Sequence, residues 1–570
     1  MDMTHLPAKP GTYQLQDYER MREVFKWEDV HKHFSWFKTG QVNIAHEAID
    51  RHANDPQTRD QVALIHYASG KETCFTFDEM RKRSNQFANV LKKYGINKGD
   101  RVFLFLPRTP QFYITFFGIL KTGAIAGPLF ESFMEQAIYD RLYDSEARML
   151  ITTKELCERV PHNRLPALET IILIDGEASD EATCKYVNYE QEMNEASIRF
   201  DIEWVDLEDG MLMHYTSGST DKPKGVYHVH RMMIQQYMTA EWVLDLREDD
   251  IYWCTADVGW IAGTSYGILA PWLKGTTIVV YEGRYTPESI YRMLEKYGVT
   301  VWYTSPTVLR NLVSTKELVH TYNLSSIRHI LSVGELLSPE MITWGLKTFH
   351  VRIHDTWLMT ETGAQMIANF PSLEMRPGSM GKPIPGIEAI IMDYEGNELP
   401  PYQMGNLAIK RGWPAMMHTI WNHPNTYESY FMNDWYMTGD HAYKDDDGYF
   451  WFQGRLDDVF KTPTERIGPF EIESKLIEHP AVSEAGVIAI PDPAKGEIMK
   501  AFITLNDGYE TSEQLLAQIR SYIQKNLSAH AAPHQLEVKD KIPKTRSGKI
   551  MRRQLKSWET NMLENRPDDQ

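Results

Sequence analysis

The chain has 570 residues, of which 42% are apolar and 24% are charged, and its net charge is -18. These are ordinary values for a globular protein, and the length predicts a large domain, or a tight pair of subdomains, with a smaller partner. The acidic balance argues against general binding to nucleic acid, because a duplex would be repelled unless a local basic face compensated. The four cysteines are widely spaced, without metal-like or redox-like spacing, which suits a reducing cytoplasm: Cys74, Cys157, Cys184 and Cys254.

No segment of the sequence predicts a membrane span. The most apolar run, FYITFFGIL at residues 112–120, is about half the length that a spanning helix requires, and it predicts a buried helix. The first residues, MDMTHLPAKPGTY, have no charged start before an apolar run, so we predict neither a signal peptide nor a transit sequence. We therefore expect a cytoplasmic protein without a membrane partner.

Short strand-like runs alternate with helical patterns through the first two thirds of the chain. They include DRVFLFLP at residues 100–107, ARMLITT at 147–153, TTIVVYEG at 276–283 and RHILSVG at 328–334. Alternation of this kind favours an α/β architecture with substantial sheet.

The pattern changes after about residue 396, where turn-rich β structure leads into a compact C-terminal unit. Its strand candidates are AGVIAI and KAFITL, and Thr511 or Ser512 is placed to cap the helix SEQLLAQIRSYIQKNL. The apolar face of that helix is formed by Leu515, Leu516, Ile519, Tyr522 and Ile523. We predict a large N-terminal α/β domain over residues 1–454 and a small α+β domain over residues 455–570, with the boundary near residues 454–458.

The segment YTSGSTDKPKGV at residues 215–226 combines hydroxyls, glycines and lysines. It is not a Walker loop, since Pro223 stands before Lys224 and has no N–H to offer a phosphate. Its glycines, hydroxyls and lysines suit a loop that wraps a polyphosphate. A solvated hairpin turn between MLMHY and VYHVH fits the composition equally well.

Five further sequence motifs decide between a phosphate-binding loop and a solvated turn. In chain order they are SVGELL at residues 332–337, DTWLMTETG at 355–363, YMTGD at 436–440, GRLDDVFKTPTERIGPFEIE at 454–473 and PKTRSGKIMRR at 543–553. Together with YTSGSTDKPKGV they resemble, in order and over nearly the whole chain, the motifs of the adenylate-forming (AMP-binding) superfamily. Within it, the chain most resembles short bacterial acetyl-CoA synthetases.

The resemblance implies a reaction that uses ATP, Mg²⁺ and coenzyme A. A carboxylic acid would first be joined to AMP with release of pyrophosphate, and a thiol would then take the acyl group. The triphosphate would be held by the loop residues Thr216, Ser217, Gly218, Ser219, Thr220 and Lys224. Glu361 would help to hold Mg²⁺, and Thr360 would lie near the α-phosphate.

The same resemblance implies which residues bind the nucleoside part of ATP. Asp440 has two acceptor oxygens for the ribose hydroxyls, and Arg455 would support the same sugar. The residues expected around adenine are Gly334, Glu335, Asp355, Thr356 and Trp357. Any single acid of this set would more commonly be a solvated surface group, and only its place in a matched motif favours binding.

Lys549 is the residue expected to drive the first half-reaction, by bridging carboxylate and α-phosphate oxygens as negative charge concentrates there. The resemblance further implies that the small domain rotates about a hinge at Asp457 between the two half-reactions, with Arg466 near the phosphates or on the second face. Lysine acylation and deacylation enzymes are conceivable partners, since an exposed reactive lysine suits such control. Alone, the tract at residues 539–553 would be an exposed basic face.

Two departures from the family pattern touch functional loops. Asp221 replaces a glycine, and its carboxylate would face the triphosphate at a cost of about 1 to 4 kcal/mol. Thr464, after Pro463, replaces a glycine beside the pantetheine arm, where a β-branched residue is disfavoured if φ is positive.

A third departure concerns the size of the acid. Leu358 stands where acetyl-CoA synthetases have a second tryptophan, and with Ile261, Ala262 and Val333 it would line an apolar acyl pocket. Each extra buried methylene is worth about 0.8 kcal/mol, so a larger pocket should prefer propionate, butyrate or a branched acid to acetate.

We therefore predict an ATP-dependent acyl-CoA synthetase acting on a short aliphatic acid. Two alternatives stay open: a weakened homologue that binds nucleotide without turnover, and an adenylating enzyme with an acceptor other than CoA. For other residues the simpler roles are expected. His228 and His230 should be packing or surface residues, Cys254 a small buried apolar residue, and residues 445–447 a solvated turn.

Overall fold

A computed structural model describes residues 5–180, 184–217, 223–315, 317–455, 460–461, 466–467, 469–492, 496–526, 532–544 and 550–564. The strands are β1 (Val62–Ala68), β2 (Lys71–Thr76), β3 (Arg101–Phe105), β4 (Ile125–Pro128), β5 (Met149–Thr152), β6 (Thr170–Leu173), β7 (Ser179–Asp180), β8 (Lys185–Asn188), β9 (Gly210–Ser217), β10 (Pro223–Val229), β11 (Ile251–Cys254), β12 (Thr277–Glu282), β13 (Val301–Thr304), β14 (His329–Ser332), β15 (Ile353–Trp357), β16 (Ile367–Ala368), β17 (Lys382–Pro383), β18 (Ala389–Met392), β19 (Gly405–Lys410), β20 (Thr419–Ile420), β21 (Phe431–Met432), β22 (Trp435–Lys444), β23 (Phe450–Arg455), β24 (Phe460–Lys461), β25 (Arg466–Ile467), β26 (Val482–Asp492), β27 (Gly496–Leu505) and β28 (Gln535–Val538).

The helices are α1 (Tyr18–Val24), α2 (Trp36–Thr39), α3 (Arg51–Asn54), α4 (Phe77–Lys93), α5 (Pro110–Lys121), α6 (Glu135–Asp144), α7 (Lys154–Cys157), α8 (Tyr189–Glu195), α9 (Met232–Trp242), α10 (Ile261–Thr264), α11 (Ala270–Leu273), α12 (Pro287–Lys296), α13 (Pro306–Val313), α14 (Pro339–Phe349), α15 (Pro424–Ser429), α16 (Pro469–Glu478), α17 (Glu513–Asn526) and α18 (Arg552–Glu564). Several begin with a proline in the first turn, where the missing N–H costs nothing.

Two nine-stranded sheets form the body of the large domain. One has the order β17-β16-β15-β14-β13-β11-β12-β1-β2, and the other β20-β10-β9-β4-β3-β5-β6-β8-β7. In each, a parallel centre is flanked by antiparallel edge strands. The central strands are buried along their whole length, as parallel strands covered on both faces must be. The predicted α/β fold class is therefore confirmed.

A third, antiparallel sheet has the order β18-β19-β22-β21, with β23 paired to β22. The hairpin between β22 and β23 contains residues 445–447, where we expected a solvated turn. The turn is present, but the expectation of solvation is wrong for Asp445, which is buried. Arg376 donates to it at 2.5 Å, and the backbone amides of Asp447 and Tyr449 also donate to its carboxylate.

The C-terminal unit has its own core. Strands β26, β27 and β28 form one sheet, and α16 and α17 contribute to a buried cluster on it. The Ser512 hydroxyl accepts a hydrogen bond from the Leu515 amide at 3.1 Å, so Ser512 caps α17 as one of the two predicted residues. Leu515, Ile519 and Ile523 are buried on its predicted apolar face.

The apolar run at residues 112–120 lies in α5, which is buried almost throughout, as predicted. Across the described ranges, no helix is both long and apolar enough to cross a membrane.

Candidate functional site

The candidate site begins where the parallel strands of the first sheet end. Val333 and Gly334 directly follow β14, the segment Asp355 to Trp357 ends β15, and Ile261 opens the helix after β11. Strands β11, β13, β14 and β15 are neighbours and parallel, so their carboxyl ends meet at one edge. In open α/β sheets this edge is where ligands bind.

Asp440 lies at the centre of the polar part of the site. Its Oδ2 accepts a hydrogen bond from the Trp357 indole N–H at 2.9 Å, and its Oδ1 lies 3.1 Å from Nη1 of Arg455. The pairing of Asp440 and Arg455 follows from the sheet register, because they are direct partners on β22 and β23. The structure therefore brings together three residues predicted from separate motifs.

Glu361 is buried beside this group. Burial raises the pKa of its carboxyl above the ordinary value, while the positive charges of Arg455 and Lys224 oppose that rise and the charge of Asp440 adds to it. Desolvation leaves this carboxylate short of favourable charge partners, so a metal ion that brings its own phosphate ligands would stabilise it, whereas Arg455 and Lys224 are placed to face the phosphates.

Lys224 stands on β10, where its register partner on β9 is Thr216. Its Nζ lies 5.6 Å from the centre of the Tyr430 ring, within range of a cation–π contact. Burial raises the pKa of Tyr430 to about 12, and the charges of Glu361 and Arg455 also act on it. Tyr430 therefore belongs to the same group as Lys224 and Glu361.

The strands β9 and β10 pair antiparallel on either side of residues 218–222. The hairpin interpretation was thus right about the flanking backbone, and it does not conflict with a phosphate loop. Several predicted residues lie outside the described ranges: Gly218, Ser219, Thr220, Asp221, Lys222, Asp457, Pro463, Thr464 and Lys549. For Ser217 and Arg466 only the strand backbone is described.

The residues expected around adenine divide into two kinds. The hydroxyl of Thr356 donates to the Ser332 carbonyl at 2.7 Å and is 2.6 Å from the Tyr303 hydroxyl, so it holds the sheet together. Glu335 accepts from Thr307 at 2.5 Å and pairs with Arg310, so its carboxylate is engaged outside the adenine border.

Asp355 and Gly334 keep capacity for a ligand. Asp355 is buried, burial raises the pKa of its carboxyl well above the ordinary value, and its Oδ1 has no hydrogen-bond partner among the described residues. Backbone amides of Thr356 and Leu337 also act on this carboxyl, and Oδ1 can take a donor from a ligand in addition. Gly334 has φ of +93°, and a side chain there would be strained and would approach the Trp260 ring at 3.4 Å.

The four residues predicted to line the acyl pocket all belong to the main hydrophobic core of the large domain, which extends from Leu15 to Phe450. Ile261, Ala262 and Val333 are buried in it, and Leu358 packs against it while half-buried. Trp260, adjacent to Ile261, packs edge-on against Phe130 with ring centres 6.2 Å apart.

Three residues of this region were missed or undervalued in the sequence. Tyr430 and Trp260 lie outside the residues that the motifs assigned. His228 was expected to have a packing or surface role; it is fully buried, as a packing residue is, and its Nε2 also donates to the carbonyl of Thr360 at 2.8 Å. The position of His228 four residues after Lys224, on the same face of a strand, was the available signal. Cys254 packs against the apolar core but is only half-buried, so the expected burial is met in part; desolvation raises the pKa of its thiol to about 11.

The donor set fits a nucleotide with its magnesium ion. Within the described ranges, no group of three or more His, Cys, Asp or Glu residues is arranged to hold a metal ion. Mg²⁺ needs no such cage, because it ordinarily takes one or two protein carboxylates and completes its shell with phosphate oxygens and water. Glu361 is the carboxylate that suits this role.

Fold and site together define a nucleotide-binding α/β enzyme with a separate C-terminal domain. Two family models match the chain: "AMP-binding enzyme" over residues 49–421 and "AMP-binding enzyme C-terminal domain" over residues 471–549. The chain belongs to the AMP-binding enzyme family.

Its relatives agree with this. It is 57% identical to an acetyl-coenzyme A synthetase of Bacillus subtilis over 99% of this chain and 98% of that protein. It is 37% identical to an acetyl-coenzyme A synthetase of Pyrobaculum arsenaticum, over 92% of this chain and 84% of that protein.

Solved structures show the same fold. An acyl-CoA synthetase of Brucella canis matches with a TM-score of 0.75 and 32% identity, over 96% of this chain and all of that chain. An anthranilate CoA ligase in complex with anthranoyl-AMP matches with a TM-score of 0.83 and 29% identity, over 91% of this chain and 97% of that chain.

Proposed function

We propose that the chain is an AMP-forming acid–CoA ligase that activates a short-chain carboxylic acid with ATP and passes the acyl group to coenzyme A. The observation that carries the proposal is the group formed by Asp440, Trp357, Arg455, Glu361 and Lys224. It offers an acceptor for the ribose, a carboxylate for Mg²⁺ and two cations, drawn from all three sheets of the large domain and from the loop after β15.

In the first half-reaction, an oxygen of the substrate carboxylate attacks the α-phosphorus of ATP, and pyrophosphate leaves. Asp440 accepts hydrogen bonds from the ribose hydroxyls, and Lys224 and Thr216 receive the phosphates with residues 217–220. Glu361 would hold Mg²⁺, which neutralises phosphate charge when bound. Lys549 stabilises the charge that concentrates between carboxylate and phosphate, with Thr360 beside it.

In the second half-reaction, the thiolate of coenzyme A attacks the acyl carbon and AMP leaves. We propose the division of the chain at residues 454 and 455, with Asp457 as hinge and Arg466 on the face that the small domain then presents. This division falls in the interval between the two family models, which end at residue 421 and begin at residue 471.

Acetate is the first acid to test, since the two relatives named above are acetyl-coenzyme A synthetases. The pocket formed by Ile261, Ala262, Val333 and Leu358 favours a somewhat larger acid. We propose a cytoplasmic location, which suits four cysteines that form no disulfide within the described ranges and the use of ATP and coenzyme A.

The test is acid-dependent exchange of labelled pyrophosphate into ATP, followed by measurement of AMP and thioester after addition of coenzyme A. We expect exchange with acetate, propionate or butyrate, and thioester in the second assay. Lys549→Ala should abolish exchange and retain thioester formation from a supplied acyl-adenylate. Binding of ATP without exchange for any short acid would contradict the proposal, and AMP release without thioester would indicate another acceptor.

A further inference from the structure

The loop that carries Glu361 is held by its backbone carbonyls. In residues 360–363, four consecutive carbonyls each accept a hydrogen bond from outside the loop, two of them from the single segment at residues 413–417. The donors are His228 Nε2 to residue 360 at 2.8 Å, Met417 N to residue 361 at 3.0 Å, Trp413 Nε1 to residue 362 at 3.0 Å and Ser265 Oγ to residue 363 at 2.9 Å. The loop is therefore fixed before any ligand arrives.

His228 is the one of these donors that comes from β10, the strand that also carries Lys224. The two side chains are four residues apart in a strand and share one face. His228 is fully buried, and burial lowers its pKa to about 4, so the imidazole is neutral near pH 7. A carbonyl can only accept, so the proton of the neutral ring lies on Nε2.

We propose that His228 is a positioning residue for adenylation, tying the strand that carries Lys224 to the loop that carries Glu361. This inference rests on the proposed function. The bond from His228 to the Thr360 carbonyl holds the residue just before Glu361. It thereby sets the distance between Lys224, the proposed phosphate-binding cation, and the carboxylate of Glu361, the proposed metal ligand.

Such a tie matters because Mg²⁺ demands near-ideal geometry. A displacement of about 1 Å in a group that orients the reactants can cost about 100-fold in rate. Transfer of the acyl group from a finished adenylate to coenzyme A involves neither the metal nor the pyrophosphate. A tie of this kind should therefore affect the first half-reaction and spare the second.

The experiment compares His228→Leu with His228→Gln in the full chain. The Gln amide N–H can take the place of Nε2–H, whereas Leu has no donor. We expect His228→Leu to lower the rate of pyrophosphate exchange about 10- to 100-fold. It should also raise the Mg²⁺ concentration for half-maximal exchange, and leave thioester formation from supplied acyl-adenylate within about twofold. His228→Gln should restore most of the exchange at the original Mg²⁺ requirement.

His329→Leu is the matched control. His329 is also buried, and its ring also bonds a backbone carbonyl, that of Val243 at 2.9 Å, away from the site. Its loss should lower the melting temperature without changing the Mg²⁺ requirement. If His228→Leu does not fold, His228→Asn replaces it, since the shorter amide cannot reach the Thr360 carbonyl.

The inference is overturned if His228→Leu, or the His228→Asn that replaces it, slows both half-reactions equally. It is likewise overturned if the Mg²⁺ requirement of that variant equals the requirement of His228→Gln. The inference is also overturned if His329→Leu raises the Mg²⁺ concentration for half-maximal exchange as much as His228→Leu does. These failures are distinct from failure of the proposed function, in which the unchanged protein shows no acid-dependent exchange at all.

Discussion

In the ribose region, which consists of Trp357, Asp440 and Arg455, the polar atoms that face one another are paired at 2.9 Å and 3.1 Å. The residues of the proposed acyl pocket, Ile261, Ala262, Val333 and Leu358, belong instead to the apolar core. A directional contact loses its whole value when one partner is removed, and the other partner is left buried and unsatisfied. An apolar pocket instead responds in steps of about 0.8 kcal/mol per methylene.

This contrast separates what the two regions can specify. The ribose region should accept one kind of ligand and tolerate no change in its acidic residue. The acyl pocket should grade a series of acids by size, and substitutions there should redistribute activity among acids without affecting the affinity for ATP. The predictions for Asp440, Leu358 and Trp357 each test one side of the contrast, and the prediction for Glu361 tests the carboxylate beside the ribose region.

The largest effect is expected for Asp440→Ala. It removes both acceptors for the ribose hydroxyls, and charge-assisted hydrogen bonds are worth about 1.5 to 3 kcal/mol each, so the KM for ATP should rise about 100-fold or more. The order of preference among acids should not change. Steady-state exchange kinetics with varied ATP would measure this. Asp447→Asn, which alters an exposed carboxylate, is the control. An ATP affinity within threefold of the unchanged protein would contradict the comparison.

Glu361→Gln should lower the rate of pyrophosphate exchange and raise the stability of the folded protein. Exchange at limiting Mg²⁺ should fall by about 10- to 100-fold, because a neutral amide is a poorer ligand for a hard cation. The carboxyl of Glu361 has a pKa raised above its ordinary 4.5, so the folded state holds this proton more tightly than the unfolded state does. The free energy of unfolding therefore falls as pH rises from 4.5 through the raised pKa.

The side chain introduced by Glu361→Gln does not titrate, so the free energy of unfolding of this variant does not fall with pH for this reason. Without nucleotide and Mg²⁺, its melting temperature should exceed that of the unchanged protein at pH 8 by about 1 to 3 °C, and the difference should shrink towards pH 5. Scanning calorimetry at both pH values measures the trend. A difference that grows as pH falls would have the opposite sign and would refute the assignment of the raised pKa.

That Trp357, Asp440 and Arg455 come together could be predicted from sequence because each stands in a motif, and the register of β22 and β23 then places Asp440 opposite Arg455. Their role in binding ribose stays a prediction. The parallel strands were also predictable, since buried strands give continuous apolar runs. Their order in the sheet was not, because pairing of β1 with β12 joins residues more than two hundred positions apart. Local patterns carry no information on such pairing.

The contacts that were missed share this long range. The bond from His228 to Thr360 spans 132 positions, and Asp445 is buried by Arg376, 69 positions earlier. A short acidic segment predicts a solvated turn as long as the cation that pairs with it, here Arg376, cannot be identified from the sequence. Tyr430 was overlooked for the same reason, since its neighbours Lys224 and Glu361 come from other parts of the chain.

For the acyl pocket, Leu358→Trp should narrow the range of acids. Overfilling a packed apolar space costs about 1 to 3 kcal/mol, so kcat/KM for butyrate and isovalerate should fall about 10- to 100-fold relative to acetate. The KM for ATP should stay within twofold. Competition among acetate, propionate, butyrate and isovalerate in the thioester assay provides the measurement. If the unchanged protein already prefers acetate strongly, the larger pocket is refuted.

The smallest effect is expected for Trp357→Phe, which keeps a ring and deletes the N–H that Asp440 accepts. A hydrogen bond to a carboxylate is worth about 1.5 to 3 kcal/mol, but this one orients Asp440 and does not itself touch the ribose. Only part of that value should reach ATP binding, so the KM for ATP should rise about 2- to 12-fold while the preference among acids is kept. Trp302→Phe is the matched control, because Trp302 is fully buried and its Nε1 has no hydrogen-bond partner among the described residues. Both variants lose ring volume and should lose some stability. Only Trp357→Phe should change the KM for ATP, and equal changes in the two variants would mean that the indole acts by its size and not by the bond to Asp440.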